Sequence, residues 1–242
     1  MTNFHSLKAY LDNEVARIQV PAFIENDPVQ FVHNYSCKQD IEIVAFIVAT
    51  IAWGRRQMIL RNAERMLDKL GRSPYDYVMS EGYKRLGTAN VHRTFFEQDL
   101  AGMLHGFHDI LTHYDSMEAC LASCFEGRAS EITAWDIAPM LRLSYKVDKS
   151  ALKRINMALR WLVRNEGAVD LGLWTFIKPS QLYIPLDVHV ANTARRLGLL
   201  RRKSNDRKAV EELTTVLRSF CPEDPVKYDF ALFGVGVGEG QT

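Results

Sequence analysis

Along most of this chain apolar residues recur at intervals of three and four, the signature of helices that each bury one face. No run shows the period-two alternation of a β-hairpin, so the pattern predicts an all-α protein. A first helix is expected over residues 4–18, ahead of Pro21 and Asp27-Pro28. The stretch 40–53 is apolar on nearly all sides, which predicts a helix buried all round, and Gly54 breaks it. An amphipathic helix over 55–70 follows, with Met58, Ala63, Met66, Leu67 and Leu70 inward and Gly71 as its stop. Ser73-Pro74 opens a short helix to about 79, and 82–94 is irregular. Helical periodicity resumes over 95–114, 116–125 and 131–143. Asp148 or Ser150 is positioned to cap a helix over 151–164, which ends at Asn165-Glu166-Gly167. The apolar run 169–177 reads as a short helix against the core. Pro185 then stops one element and Asp187 begins another, with Val190, Ala194 and Leu197 inward and Gly198 as its exit. Ser204 or Asp206 caps 207–220, and a late core helix is expected over 226–233 before a small-residue turn. There is no internal repeat, low-complexity tract or long linker.

Composition narrows the class further. Hydrophobic residues at 47% and charged residues at 24% of 242 are ordinary for a soluble globule with ample chain for a core. The net charge of +1 means that any nucleic-acid face has to arise from local clustering. The apolar segment 41–53 is shorter than the ~20 residues a helix needs to cross a bilayer, so no membrane partner is expected. The start, Met-Thr-Asn-Phe-His, carries no secretory signal, and with it the four cysteines predict a reduced, cytoplasmic protein. Cys120 and Cys124 share a helix face, but Cys37 and Cys221 lie far off in sequence. They read as small buried side chains, and no metal site is expected.

The candidate chemistry centres on Asp187. Taken alone, a carboxylate after Pro-x and before a helix is a cap that accepts free backbone N–H groups. However, Pro-Leu-Asp-Val-His-Val at 185–190, followed by Arg-Arg-Leu-Gly-Leu at 195–199, resembles the segment carrying the essential aspartate of helix-hairpin-helix DNA glycosylases. That superfamily includes endonuclease III and the 8-oxoguanine glycosylases. Over nearly its whole length the chain also resembles a bacterial family of unknown function related to that superfamily, with similarity to the archaeal 8-oxoguanine glycosylases. The resemblance implies two helical lobes with a central cleft. One lobe would combine about 1–50 with 180–242, and the other would span about 55–175, within a single domain of 1–242. It implies DNA repair by base excision, with DNA as partner and no cofactor. The closely spaced C-terminal cysteines that hold the iron–sulfur cluster of endonuclease III have no counterpart here.

Bifunctional members of the superfamily use a lysine amine as nucleophile beside the aspartate. The amine must be at least partly neutral to attack, and the carboxylate must be ionised to stabilise positive charge growing on the sugar. A helix N-terminus favours the ionised carboxylate. Lys153 is the candidate nucleophile, thirty-four positions before Asp187, a separation similar to that in the archaeal group. In the 151–164 helix Leu152, Ile155, Leu159 and Leu162 form the buried stripe, whereas Lys153, Asn156, Arg160 and Arg164 make a basic face. Such a face is equally that of a solvated surface helix. The phosphate-holding Leu-Pro-Gly-Val-Gly-type hairpin of the superfamily has no match in 169–179, where only Gly172 remains, and Lys178 is too near Asp187 to be the usual nucleophile. The glycine run 234–240 lacks the Lys-Ser/Thr of a phosphate loop.

Basic side chains expected to grip DNA phosphates are His189, Arg160, Arg195, Arg196, Arg201 and Arg202, joined by Lys203, Arg207 and Lys208, with Arg55, Arg56 and Arg61 as a weaker set. His189 also reads as a helix-capping or core histidine. Trp53, Trp161, Trp174 and Phe176 are candidate walls for an extruded base, or simply core. The resulting expectation is a DNA glycosylase/AP lyase excising a damaged base, with the resemblance pointing to an oxidised purine. The competing expectation is a non-catalytic helical module binding nucleic acid or protein on the same scaffold.

Overall fold

The computed structural model describes residues 4–128, 130, 132–140 and 147–238, and nearly all regular structure among them is helical. In chain order the helices are α1 (Phe4–Ile18), α2 (Ala22–Glu25), α3 (Lys38–Ile51), α4 (Arg56–Leu70), α5 (Pro74–Met79) and α6 (Glu97–His113). They continue with α7 (Met117–Cys124), α8 (Ala134–Ile137), α9 (Lys153–Val163), α10 (Val188–Arg196), α11 (Arg207–Phe220) and α12 (Tyr228–Gly238). The expected all-α class holds. Short polar side chains begin several helices: Ser73 takes the Asp76 N–H, Ser116 the Ala119 N–H, Asp187 the Val190 N–H and Asp206 the Ala209 N–H. Ser150 does not cap α9; that place falls to Leu152.

Helix α3 is the axis of the core. Every residue from Asp40 to Ile51 is buried, because α9, α4, α5 and α6 cover it from different sides. Phe46 meets Phe107 of α6 and Trp174 of a later loop, with ring centroids 6.3 and 6.0 Å apart. Glu42, buried among these apolar groups, accepts the Met117 and Glu118 N–H groups and the Trp174 indole N–H, at 2.8, 3.2 and 2.7 Å. That one carboxylate ties α3 to α7 and to the loop after α9. At the other end of the molecule α12 packs against both α1 and α10, so the beginning and end of the described chain meet.

The fold departs from the sequence reading in four places. A two-stranded hairpin, β1 (Asn90–His92) with β2 (Phe95–Phe96), occupies the irregular region; its strands are too short to alternate. Residues 169–177 are irregular rather than helical. The Leu171 and Trp174 N–H groups close onto the carbonyls of Trp161 and Leu162, satisfying the last turn of α9, and Gly172 sits at φ +60°. The expected 131–143 helix is reduced to α8 among the described residues, and 131 and 141–143 lie outside them. Helix α12 also runs on through the glycines instead of stopping near Phe233. A Cβ at Gly234 would lie 2.1 Å from Ile18 Cδ1, and one at Gly236 would lie 2.7 Å from Thr193 Oγ1. The glycines are there so that α1 and α10 can approach α12 closely.

Candidate functional site

Asp187 is the N-cap of α10. Its backbone is extended at φ −105°, and its carboxylate accepts the Val190 N–H at 2.9 Å while staying half-buried at the helix mouth. Lys153 opens α9, directly after Leu152, which is held at φ +44°. A buried leucine in the left-handed region is strained by about 1–2 kcal/mol. The Lys153 amine donates to the Ala52 carbonyl at the end of α3, 3.0 Å away. Burial pushes its pKa below the usual lysine value, opposed by the negative charge of Asp187 first, then of Asp229 and Asp27. Desolvation prevails, so a larger share of the amine is neutral near pH 7 than for a surface lysine. Lys153 feels the charge of Asp187, and each of these two residues is partly covered by its surroundings.

Two further carboxylates complete this cluster. Asp229, in the first turn of α12, is pushed up to about 6 by burial and by the neighbouring Asp187 charge, against the opposing pull of Arg160 and Lys153. Asp27 caps the 3-10 turn Pro28–Asn34 through the Val29 N–H; burial raises its pKa, with Arg160, Arg56 and Lys153 pulling it down. Arg56 lies 3.9 Å from Asp27 and sits over the Phe233 ring. Sequence reasoning missed Asp27 and Asp229 as site residues. Their one trace there is a lone acid in each of two largely apolar runs, 27–32 and 225–235.

Arg160 is not a DNA-facing residue. Only 5% exposed, it pairs with Asp170 at 3.2 Å and with Asp229, and stacks over Phe230. Arg164, one turn on, pairs with Asp170 and with Asp224, the latter at 2.7 Å. The basic face of α9 thus points inward, toward acids supplied by the following loop and by α12 and the turn before it.

The other basic residues divide. His189 is exposed and meets Phe233 edge-on, with centroids 6.2 Å apart. Arg195 donates to the Arg202 carbonyl at 2.8 Å and to Asn205, which closes the turn between α10 and α11. Arg202 is paired with Asp206 and Arg207 with Glu211, at 2.5 and 2.8 Å. Arg196, Arg201, Lys203 and Lys208 remain on the surface. Trp161 and Trp174 are core residues, whereas Trp53 and Phe176 are only partly covered.

A concavity of about 630 Å³ lies elsewhere, between α1, the loop after α9 and the turn before α12, lined by Gln19, Glu166, Lys178, Cys221 and Lys227 among others. It includes neither Lys153 nor Asp187, and its mixed charges converge on no single chemistry. Among the described residues no cluster of His, Cys, Asp and Glu has the makings of a metal site, and no helix is long and apolar enough to cross a membrane.

No curated protein and no solved structure matches this chain significantly. A family model described as "Protein of unknown function (DUF2400)" matches residues 27–238, and the chain belongs to that family.

Proposed function

We propose that the chain is a DNA base-excision enzyme in which the Lys153 amine is the nucleophile and Asp187 the activating carboxylate. The observation that carries this reading is a desolvated lysine, its pKa pushed down, whose strongest opposing charge is a carboxylate at a helix N-terminus. In the proposed step the neutral amine forms a bond to the anomeric carbon of an extruded nucleotide. The glycosidic bond breaks, its electron pair leaves with the base, and the base takes a proton. The proton lost from the new ammonium passes to Asp187 or to solvent. Asp187, ionised at the start, stabilises the positive charge that develops on the sugar. The nitrogen lone pair then forms a C=N bond as the C1′–O4′ bond breaks and O4′ takes a proton, and the ring-opened iminium is the species from which strand cleavage proceeds. An oxidised purine is the proposed lesion, on the resemblance to the 8-oxoguanine glycosylases.

The test is borohydride trapping on duplexes carrying 8-oxoguanine and a panel of other lesions. A covalent adduct present with the wild type and lost in Lys153→Ala supports the assignment. Absence of both adduct and base release across the panel, with salt-sensitive DNA binding unchanged in Asp187→Asn, assigns a non-catalytic binding module instead.

A further inference from the structure

We infer that Arg93, Arg154 and the indole of Trp53 form a preorganised phosphodiester-binding face beside Lys153, which holds the DNA backbone next to the attacked nucleotide; this rests on the reading of the protein as DNA-acting. Trp53 follows Ala52, the residue whose carbonyl takes the Lys153 amine, and Arg154 follows Lys153 itself. The Arg93 guanidinium carbon lies over the Trp53 ring, 4.5 Å from its centroid, and that of Arg154 lies 5.2 Å from the same centroid. Arg93 is exposed, and among the described residues it has no carboxylate partner.

Three features hold this arrangement in place. His92, fully buried, donates from Nε2 to the Trp53 carbonyl at 2.7 Å and accepts the Asn62 amide at Nδ1 at 3.0 Å. The Trp53 carbonyl can only accept, so Nε2 carries the proton, and an Asn62 N–H donated to Nδ1 then requires the neutral ring, which burial favours. The next residue, Arg93, turns through φ +53°, which aims its side chain back across the α3–α4 junction. Gly54 there sits at φ +103°, and a Cβ on it would come 2.8 Å from Arg93 Nη1. A left-handed turn, a neutral histidine anchor and a glycine gap together place two cations on one aromatic face. Stacked on the indole, the exposed Arg93 guanidinium has already lost much of its rotamer freedom and still presents N–H donors suited to a phosphate.

The experiment is a salt titration of binding to a fluorescently labelled duplex carrying a tetrahydrofuran abasic analogue, run alongside trapping assays on the same proteins. If Arg93 holds one phosphate, Arg93→Ala lowers the log–log salt slope by about 0.9 and weakens binding about eightfold at ~0.1 M salt. Arg93→Lys is intermediate. Gly54→Ala, which displaces Arg93 without removing it, reproduces part of the loss. Unchanged slope and affinity in both Arg93→Ala and Arg93→Glu overturn the inference, even where trapping persists and the enzyme reading survives. Arg93-dependent binding without trapping or base release supports the inference while the enzyme reading falls. A wild type that binds no DNA overturns both.

Discussion

Helix α9 carries an ionic cluster at each end, and the two are built on opposite principles. At its C-terminal end Arg164, 1% exposed, is locked between Asp170 and Asp224, and Arg160 bridges Asp170 to Asp229. Every charge there meets an opposite charge within direct contact. At its N-terminal end Lys153 donates to a neutral carbonyl, while three carboxylates act on it through space and fail to offset its burial. A closed cluster holds elements together. An incompletely compensated one keeps an amine ready to give up its proton, at a cost to stability.

That contrast can be broken most sharply at Lys153. Lys153→Met is expected to lower trapping and base release by a factor on the order of 10³ to 10⁶ while raising Tm. The direction of the Tm change follows from linkage. A lysine pKa lowered from 10.5 costs the folded state stability below the folded pKa, and that cost fades as pH rises toward 10.5. Calorimetry in which wild-type stability, relative to Lys153→Met, does not rise as pH increases from 7 toward 10.5 would contradict the depressed pKa.

At the other end the effect falls on folding. Arg164→Ala leaves Asp224 and Asp170 short of a partner in a buried site, and denaturant unfolding is expected to show a loss of roughly 3–5 kcal/mol. A loss under ~1 kcal/mol would show that this cluster is not the closed one described.

Asp229 joins the two regions, and its substitution should act on both modestly. In wild type the folded state holds the Asp229 proton up to about pH 6, against 3.8 for the ordinary group. Its contribution to stability therefore declines as pH rises between those values. Asp229→Asn should flatten that stretch of the Tm–pH curve. It should also move the acid limb of trapping to lower pH, because one negative charge favouring the Lys153 ammonium is gone. An acid limb that stays in place would separate Asp229 from the lysine. The smallest effect is expected on the surface: Arg201→Ala should cost no stability and reduce the salt slope of DNA binding by at most about 0.9.

How much of this was legible beforehand depends on the range of the forces involved. The bounds of α1 and α11, the caps at Asp187 and Asp206 and the buried character of α3 all follow from apolar spacing and short polar side chains, which act within one or two turns. Lys153 and Asp187 are singled out by a motif resemblance, and in the fold the charge of Asp187 acts on the Lys153 amine. Helical periodicity alone could not say which way the polar face of α9 points. A guanidinium at Arg160 spaced for solvent is also spaced for Asp170 and Asp229, and one of those acids lies 69 positions away. The same limit hid the role of the glycines in α12, which depends on Ile18 and Thr193 from two other helices.

Local patterning thus determined most of the helical segments and where many of them begin, and a motif resemblance singled out Lys153 and Asp187. Tertiary structure decided which of those charges face one another, which are spent on closed ion pairs and which amine is left desolvated. Those outcomes depend on burial and on pairings between distant segments, and burial is a property of the packed chain rather than of any stretch of it.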